Sequence, residues 1–464
     1  MDSAQPVFDG LGKLLNIKSQ MQHDGIAMLH SFASSQTSSL EAGPSYGTYS
    51  GWMTNSESEA AQGVDWALKP GGKNHMVWHR AIRALGLQFE YVTDRMMRLG
   101  EFRPDQYKVL ILSQCEAIGA QEAEMIREFA ANGGTVIADI RPGLFNEHCK
   151  PLARAALDDL FGVRHTGNVP AVKETGLIHG EINGRRVATR ISRLDVNPAV
   201  ELTTGEALGQ AGQTPIVIVN RVGSGQAILL NFAMCSFPNL SVPETHEAKA
   251  ELLSAVFTSA EVKWPLHLLD EKGNRRRNVE AVRWQTGDLE VVAIYGPLDD
   301  RRAQWHNQNG LLLLDPLRAA DVPQPVRIVL PQAKYVTEIG SDHQVGRTKQ
   351  FTVHIRPFRP VFVVLSDRKL RLPVLTLPEQ AAGPGESLRI RLHIPDAQGL
   401  HALKLRVTTP DNQPAAWFNR SVMVGPGGAQ IALPLAHNEQ IGDWTVQATD
   451  LYTGKSALSR FQVR

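Results

Sequence analysis

The sequence YKVLILSQCEAIGAQEAEMIREFAANGGTVIADIRPGLF, residues 107–145, decides the fold of the first half of the chain. Val109–Leu112 is a short continuous apolar run, which predicts a strand covered on both faces. Gln121–Ala131 changes to helical spacing and stops at Asn132-Gly133-Gly134, because Asn and Gly accept the left-handed conformation of a helix C-cap. Thr135–Ala138 is the next strand, with Asp139 at its carboxyl end. These elements predict a right-handed βαβ unit within a parallel sheet.

The segments around this unit continue the alternation of strands and helices. They are predicted strands at 26–29 and 90–92, a long Ser-, Gly- and Tyr-rich loop at 32–51, helices at 78–85, 152–161 and 247–257, and hairpins at 178–191 and 216–230. Asn183-Gly184 and Gly223-Ser224-Gly225 are the hairpin turns; the second lacks the following Lys-Ser/Thr and helix of a phosphate loop. We therefore expect residues 21–260 to form an α/β domain with an open, doubly wound sheet.

The pattern changes after residue 260. Short strands punctuated by turns predict a small antiparallel β-sandwich at 261–370. Pro373 and Gly383-Pro384-Gly385 open a third unit, 371–464, whose strand count and spacing are typical of an immunoglobulin-like β-sandwich without the cysteine pair. Residues 1–20 are predicted to be a connector.

Composition and charge exclude several classes of protein. The net charge of +1 argues against a nucleic-acid surface, which needs a strong basic excess. Three scattered cysteines fit neither a disulfide framework nor a zinc cluster. There is no signal-peptide pattern, and no apolar run approaches the roughly 18 residues that span a bilayer. These observations predict a cytoplasmic protein with no membrane partner.

Four segments together resemble the middle, trimerisation domain of the glycoside hydrolase family 42 β-galactosidases. They are the connector and first strand from Lys13 to Ser31, the segment from Arg80 to Tyr91 with its Ala-Leu-Gly turn, the unit at 107–145, and the late hairpin from Asn220 to Phe232. The resemblance covers roughly residues 10–260, and the β-rich part after it takes the place of that family's C-terminal β-domain.

The resemblance implies a flavodoxin-like, class I glutamine amidotransferase-like parallel sheet, with the smaller sandwich in the place of the family's C-terminal β-domain. The immunoglobulin-like unit is an addition beyond the usual family plan, so the expected fold is an open parallel sheet followed by two all-β sandwich domains. The resemblance also implies a homo-oligomer, a trimer, in a carbohydrate-processing context. In that family a (β/α)₈ barrel precedes this domain and carries both catalytic carboxylates. Nothing in this chain corresponds to that barrel, so the chain is expected either to assist a separately encoded barrel or to be a truncated product, and no cofactor is expected.

Cys115 is the candidate nucleophile of a competing hypothesis, a Cys-dependent amidotransferase-like hydrolase. A nucleophilic cysteine needs a thiolate with a base nearby and small flanking residues at a sharp strand-to-helix turn. Cys115 instead lies between Gln114 and Glu116, and the adjacent carboxylate is expected to raise the thiol pKa. The strand expected to carry such a turn is 135–138, which ends in Asp139-Ile140-Arg141.

Asp139 and Arg141 lie at the predicted carboxyl edge of the sheet, where open α/β sheets bind ligands. Two interpretations stay open for them: contact with a sugar, or an Asp139–Arg141 ion pair that fixes the sharply turned loop before Pro142-Gly143.

Aromatic and histidine residues supply the remaining candidates. Trp52, Trp78 and Tyr49 are candidates for contact with substrate or a neighbouring subunit, since aromatic rings stack on sugars and anchor interfaces, and ordinary packing is the alternative that stays open for them. His75 and His79 have the spacing of metal ligands on one helix face, but no third ligand is evident, so no metal site is predicted.

The function predicted from these observations is the oligomerising, non-catalytic portion of a β-galactosidase-like glycoside hydrolase. A stand-alone carbohydrate-binding or scaffolding protein and the Cys115-dependent hydrolase are the alternatives.

Overall fold

A computed structural model describes residues 7–41, 72–182, 184–234, 243–276, 279–296, 305–308, 311–314, 323–340, 344–356, 359–378 and 381–464. The chain forms two compact units, His23–Trp264 and Met1–Gln22 with Pro265–Arg464. The described α-helices are α1 (Phe32–Glu41), α2 (Gly72–Ala84), α3 (Asp94–Arg98), α4 (Ala120–Ala131), α5 (Asp158–Phe161) and α6 (Pro243–Ser259). None of these is long and apolar enough to cross a membrane.

The strands up to residue 264 are β1 (Gln20–Met21), β2 (Ile26–His30), β3 (Glu90–Thr93), β4 (Val109–Leu112), β5 (Thr135–Asp139), β6 (Val163–His165), β7 (Val172–Ile182), β8 (Arg185–Val196), β9 (Val200–Leu202), β10 (Glu206–Ala211), β11 (Thr214–Val222) and β12 (Gly225–Leu230). Nine of them form one sheet in the order β3-β2-β4-β5-β12-β11-β10-β7-β8. The first five are parallel, and the last four join antiparallel. The sheet is therefore mixed: the predicted parallel sheet is its first half, and an antiparallel extension completes it.

The apolar strands are buried on both faces, as their composition predicts. Alternate residues of β4 point into different cores: Val109 and Ile111 join one with α2 and α6, whereas Leu110 and Leu112 join another with α4. This alternation follows from the two-residue period of a strand. Helices therefore cover both faces of the parallel half, which is the doubly wound arrangement.

The Gly223-Ser224-Gly225 turn closes the β11–β12 hairpin against the end of α4. The backbone N–H and hydroxyl of Ser224 donate to the Ala131 carbonyl over 3.0 and 2.9 Å. A Cβ on Gly225 would collide with the carbonyl oxygen of Ala130, so only glycine fits there. The glycines thus serve a close backbone approach, as expected for a turn that binds no phosphate.

Two predicted boundaries in this unit are wrong. The long loop at 32–51 begins instead with helix α1, because the Ser31 hydroxyl accepts a hydrogen bond from the Ser34 N–H and caps the helix. The helix predicted at 152–161 is reduced to α5, because the N–H groups of Leu152 and Ala156 donate to the carbonyls of Leu144 and Gly143.

The strands after residue 264 are β13 (His267–Leu269), β14 (Glu280–Thr286), β15 (Leu289–Tyr295), β16 (Trp305–Gln308), β17 (Leu311–Leu314), β18 (Gln324–Glu338), β19 (Gln344–Ile355), β20 (Val361–Ser366), β21 (Val374–Thr376), β22 (Ser387–His393), β23 (His401–Thr408), β24 (Arg420–Val424), β25 (Ala429–Pro434), β26 (Gly442–Asp450) and β27 (Ser456–Val463). Strands β1, β13–β15 and β18–β20 form one seven-stranded antiparallel sheet, and β16 and β17 pair as a separate ribbon. The sequence predicts two facing sheets for residues 261–370. In the described part of this segment the structure has one large sheet and a two-stranded ribbon.

The C-terminal strands form two sheets around one core. Strands β21, β22 and β25 make one sheet, and β24, β23, β26 and β27 make the other. Residues of β22 alternate between exposed and buried, and Leu388, Ile390 and Leu392 meet Trp444 of β26 inside. This is the layered arrangement that the sequence predicts for residues 371–464.

The connector packs within the second unit. Leu11, Leu14 and Leu15 are buried in a cluster with Val291 of β15 and Tyr452. The Asp9 carboxylate also pairs with Lys404 over 2.5 Å. The short apolar spacing of the connector is therefore explained by burial in a core.

Candidate functional site at the carboxyl edge of the parallel strands

Two residues with left-handed backbone follow neighbouring parallel strands. Gln114 has φ 46° and lies two residues past β4; Arg141 has φ 58° and lies two residues past β5. A non-glycine residue in this region costs about 1–3 kcal/mol, and such residues gather at functional turns. Arg141 thus occupies the kind of sharp turn after a strand that carries the nucleophile in many hydrolases.

The side chain of Arg141 is held in a buried ion pair. Its Nη2 donates to Glu116 Oε1 over 2.7 Å, and its Nη1 donates to Asn168 Oδ1 over 2.6 Å. The side chains of Arg141 and Glu116 are 5% and 1% exposed. The partner of Arg141 is therefore Glu116, in the loop after β4, and the predicted Asp139–Arg141 ion pair is wrong.

Asp139 holds two other elements together. Its Oδ1 accepts from the Gln114 N–H over 2.5 Å, and its Oδ2 accepts from Trp78 Nε1 over 3.1 Å. Asp139 and Trp78 are both fully buried. Of the two roles open to Trp78, the structure favours packing: α2 packs its indole against the sheet, and the buried carboxylate satisfies its N–H.

The Cys115 thiol lies inside the protein, below the carboxyl edge of the sheet. The side chain is fully buried, and Sγ lies 3.6 Å from the Ser113 carbonyl and 3.8 Å from the Leu29 carbonyl. Burial first, and then the carboxylates of Asp139, Asp94 and Glu116, raise the pKa of the Cys115 thiol well above its ordinary value. A nucleophilic cysteine needs both thiolate character and access, and the burial of Cys115 and its raised pKa both disfavour that role.

Beside this ion-pair network lies a small cleft that sequence reasoning missed. The cleft is almost filled, with a cavity volume of only about 10 Å³, and its polar lining is Ser31, Asp94, Arg98, Glu122 and Glu147. Arg98 bridges the carboxylates of Asp94 and Glu122. Glu122 also folds back over the start of its own helix, since its Oε2 occupies the space that a Cβ on Gly119 would take. The positive end of α4 is thus already occupied by a side chain of the protein.

The positions of two carboxylates in the sequence point only weakly to this cleft. Asp94 directly follows β3, and Glu122 lies in the first turn of α4, so both carboxylates are placed at the carboxyl edge. Two serines connect the start of α1 to the loop after β4: the hydroxyls of Ser31 and Ser34 both donate to the Ala117 carbonyl, over 3.0 and 2.9 Å.

The two histidines of α2 make different aromatic contacts. The His75 ring packs on His30, with 5.2 Å between centroids, and the His79 ring meets Phe89 at 5.4 Å. Within the described part of the chain, no group of three or more His, Cys, Asp or Glu could hold a metal ion. Tyr49 and Trp52 lie outside the described residues, so their predicted contact role stays a prediction.

His75 gives the first testable prediction, a loss of stability in acid. Burial, and then the charge of His30, lower the pKa of His75 from 6.5 to about 4. Between these two pH values the unfolded chain binds the proton more readily than the folded chain, so the free energy of unfolding falls as the pH falls. We expect the His75 contribution to that loss to reach about 2–3 kcal/mol.

The measurement is urea unfolding of the wild type and of His75→Gln at pH 7 and at pH 4.5. The variant should lose clearly less stability between the two pH values than the wild type. Equal losses in the two proteins would show that His75 is not the group responsible.

Comparison with known proteins matches the α/β unit to one family. The model of the β-galactosidase trimerisation domain matches residues 26–260, which is half of the chain. The chain belongs to the β-galactosidase trimerisation domain family. The resemblance seen in the sequence is thereby confirmed. The trimerisation domain comprises the nine-stranded sheet and its helices.

Solved structures of β-galactosidases are similar to this chain at low sequence identity. The β-galactosidase of Bacillus circulans sp. alkalophilus has the same fold, with a TM-score of 0.50 and 14% identity over 78% of this chain and 44% of that one. The cold-adapted β-galactosidase of Rahnella sp. R3 matches with a TM-score of 0.48 and 16% identity, over 75% of this chain and 41% of that one. This chain therefore spans less than half the length of these enzymes. A search of curated proteins gave no match.

Proposed function

We propose that this chain is the oligomerising, non-catalytic portion of a β-galactosidase-like glycoside hydrolase that acts in carbohydrate metabolism. The observation that carries the proposal is the family match over residues 26–260. In this proposal the chain assembles as a homotrimer. The catalytic carboxylates belong to a barrel domain outside residues 1–464, either encoded separately or carried by a longer polypeptide.

The carboxyl edge of the sheet supports a structural role for the trimerisation domain. The turn after β5 carries Arg141, whose guanidinium is engaged by Glu116 and Asn168. The thiol of Cys115 is buried with a raised pKa. Together these features favour a domain whose carboxyl edge stabilises the fold, and they disfavour the Cys115-dependent hydrolase.

The outer face of the antiparallel extension is the surface that we assign to self-association. In β7, Ile178 and Ile182 face the core, whereas Leu177 lies on the opposite face and is 61% exposed. Leu177 lies opposite Arg190 of β8, the edge strand of the sheet. An exposed leucine beside an arginine on an edge hairpin suits a contact between subunits.

A hydrolysis assay tests the non-catalytic part of the proposal. The purified chain should release no nitrophenol from nitrophenyl β-galactoside and no ammonia from glutamine, and Cys115→Ala should behave as the wild type does. Turnover of either substrate that disappears in Cys115→Ala would replace the proposal with the hydrolase hypothesis. The oligomeric part is tested by the mass of the chain in solution.

A further inference from the structure

The C-terminal sandwich presents one large aromatic side chain to solvent. Trp417 lies in the short helical turn Ala416–Phe418, just before the edge strand β24, and is 63% exposed. Exposing an indole forgoes the burial that a tryptophan normally gains, so a fixed and exposed indole needs an explanation.

The backbone around Trp417 is fixed by hydrogen bonds. The Ala415 N–H donates to the Val407 carbonyl of β23 over 2.9 Å. The N–H groups of Phe418 and Asn419 donate to the carbonyls of Ala415 and Ala416, each over 3.1 Å. Arg420 Nε adds a bond to the Phe418 carbonyl over 3.3 Å. The turn therefore holds its position against the sheet on both sides of the indole.

A row of aromatic rings connects Trp417 to the core of the sandwich. Its ring lies 5.8 Å from that of Phe418, which meets Trp444 edge-on at 6.2 Å. Trp444 then stacks on Phe461 at 6.0 Å, and its Nε1 donates to the Gln440 carbonyl over 2.8 Å. The last three rings are buried, so the exposed indole rests on a rigid support. Such a support reduces the entropy that a ligand must overcome when it binds.

The residues next to Trp417 in the sequence suit a sugar better than a protein partner. The neighbouring exposed residues along the loop are polar or small, namely Gln413, Pro414, Ala416, Asn419 and Arg420. A protein contact centred on tryptophan normally has an apolar surround that excludes water. A pyranose instead offers one small apolar C–H face bordered by hydroxyl groups, which matches a single indole flanked by polar donors and acceptors.

We infer that Trp417 is the platform of a carbohydrate-binding subsite on the C-terminal sandwich, which stacks on the apolar face of a neutral β-galactoside. The choice of galactoside rests on the proposed function. The subsite itself needs no catalysis and no oligomer, since every ring in the row belongs to one chain, from Trp417 to Phe461.

The test is saturation-transfer NMR on lactose with the full chain, using mannitol as a hydroxyl-rich compound that has no ring face. Saturation should be strongest at the galactose protons H3, H4 and H5, which lie on the apolar face. Trp417→Ala should raise the dissociation constant for lactose at least about tenfold, and Trp417→Phe should retain most of the binding. Leu458→Ala is the matched control, because Leu458 is also 63% exposed and lies on β27 of the same sheet.

Three outcomes would overturn the inference: no saturation of lactose by the wild type, undiminished saturation in Trp417→Ala, or an equal loss in Leu458→Ala. A change of mass in solution on Trp417→Ala without any effect on lactose would identify a protein contact instead, and would also overturn it. If the chain is a trimer that does not bind lactose, the subsite is refuted and the proposed function stands. If the chain is a monomer that binds lactose, the subsite stands and the proposed function is refuted.

Discussion

Replacing Arg141 with alanine is expected to lower the free energy of unfolding of the α/β unit by about 3–5 kcal/mol. The reason is the burial of its ion pair: the change removes the guanidinium that balances Glu116, and both side chains are at most 5% exposed. Glu116 would then lose the guanidinium that lies 2.7 Å from its buried carboxylate, which makes its charge more costly to keep inside the protein. Urea unfolding followed by circular dichroism measures the loss.

Two further variants separate the ion pair from the backbone strain. Arg141→Gly removes the same guanidinium but relieves the left-handed conformation at φ 58°, so it should be about 1 kcal/mol more stable than Arg141→Ala. The double variant Glu116→Leu with Arg141→Leu should recover most of the loss, since apolar residues can replace a buried pair. A loss below about 1 kcal/mol in Arg141→Ala would contradict the structural role assigned to this pair.

Trp78→Ala is expected to have an effect of similar size, about 3–5 kcal/mol, because it empties the space of a fully buried indole between α2 and the sheet. Trp78→Phe keeps most of that volume but removes the Nε1–H that donates to Asp139. Its cost should be smaller, about 1–3 kcal/mol, since the lost interaction is a hydrogen bond to a buried carboxylate.

Phe32→Ala is the control for this series. Phe32 belongs to the same unit and is 61% exposed, so its removal should change the free energy of unfolding by less than about 0.5 kcal/mol. Equal effects of Trp78→Ala and Phe32→Ala would mean that Trp78 is not buried in solution.

The sequence predicted those elements whose own residues determine them. Val109–Leu112 and Thr135–Ala138 are strands as expected, because continuous apolar runs belong to strands with two covered faces. The helix that joins them ends at Ala131, immediately before the Asn-Gly-Gly stop. Local composition decides such boundaries, so local patterns suffice to predict them.

The sequence failed where a distant partner decides the structure. Arg141 pairs with Glu116, 25 residues away, and not with the adjacent Asp139. Trp78 is buried in the core, where Asp139, 61 residues away, accepts its N–H. Neither contact can be predicted from local residue spacing. The same is true of Leu152 and Ala156, whose N–H groups donate to carbonyls of the loop at 143–144 and so cannot make helical hydrogen bonds. The sequence also failed to predict the helix after residue 31. Its serines have low helical propensity, and the only local signal for the helix is a single capping residue, Ser31.

The central claim, that this chain is an oligomerising member of the β-galactosidase trimerisation domain family, is tested most directly by its mass in solution. Size-exclusion chromatography with light scattering should be run on the purified chain over a range of concentrations. We expect three times the chain mass of 51.0 kDa, and a reduced mass for Leu177→Asp but not for Leu458→Asp. A mass of 51.0 kDa for the wild type at every concentration would contradict the claim.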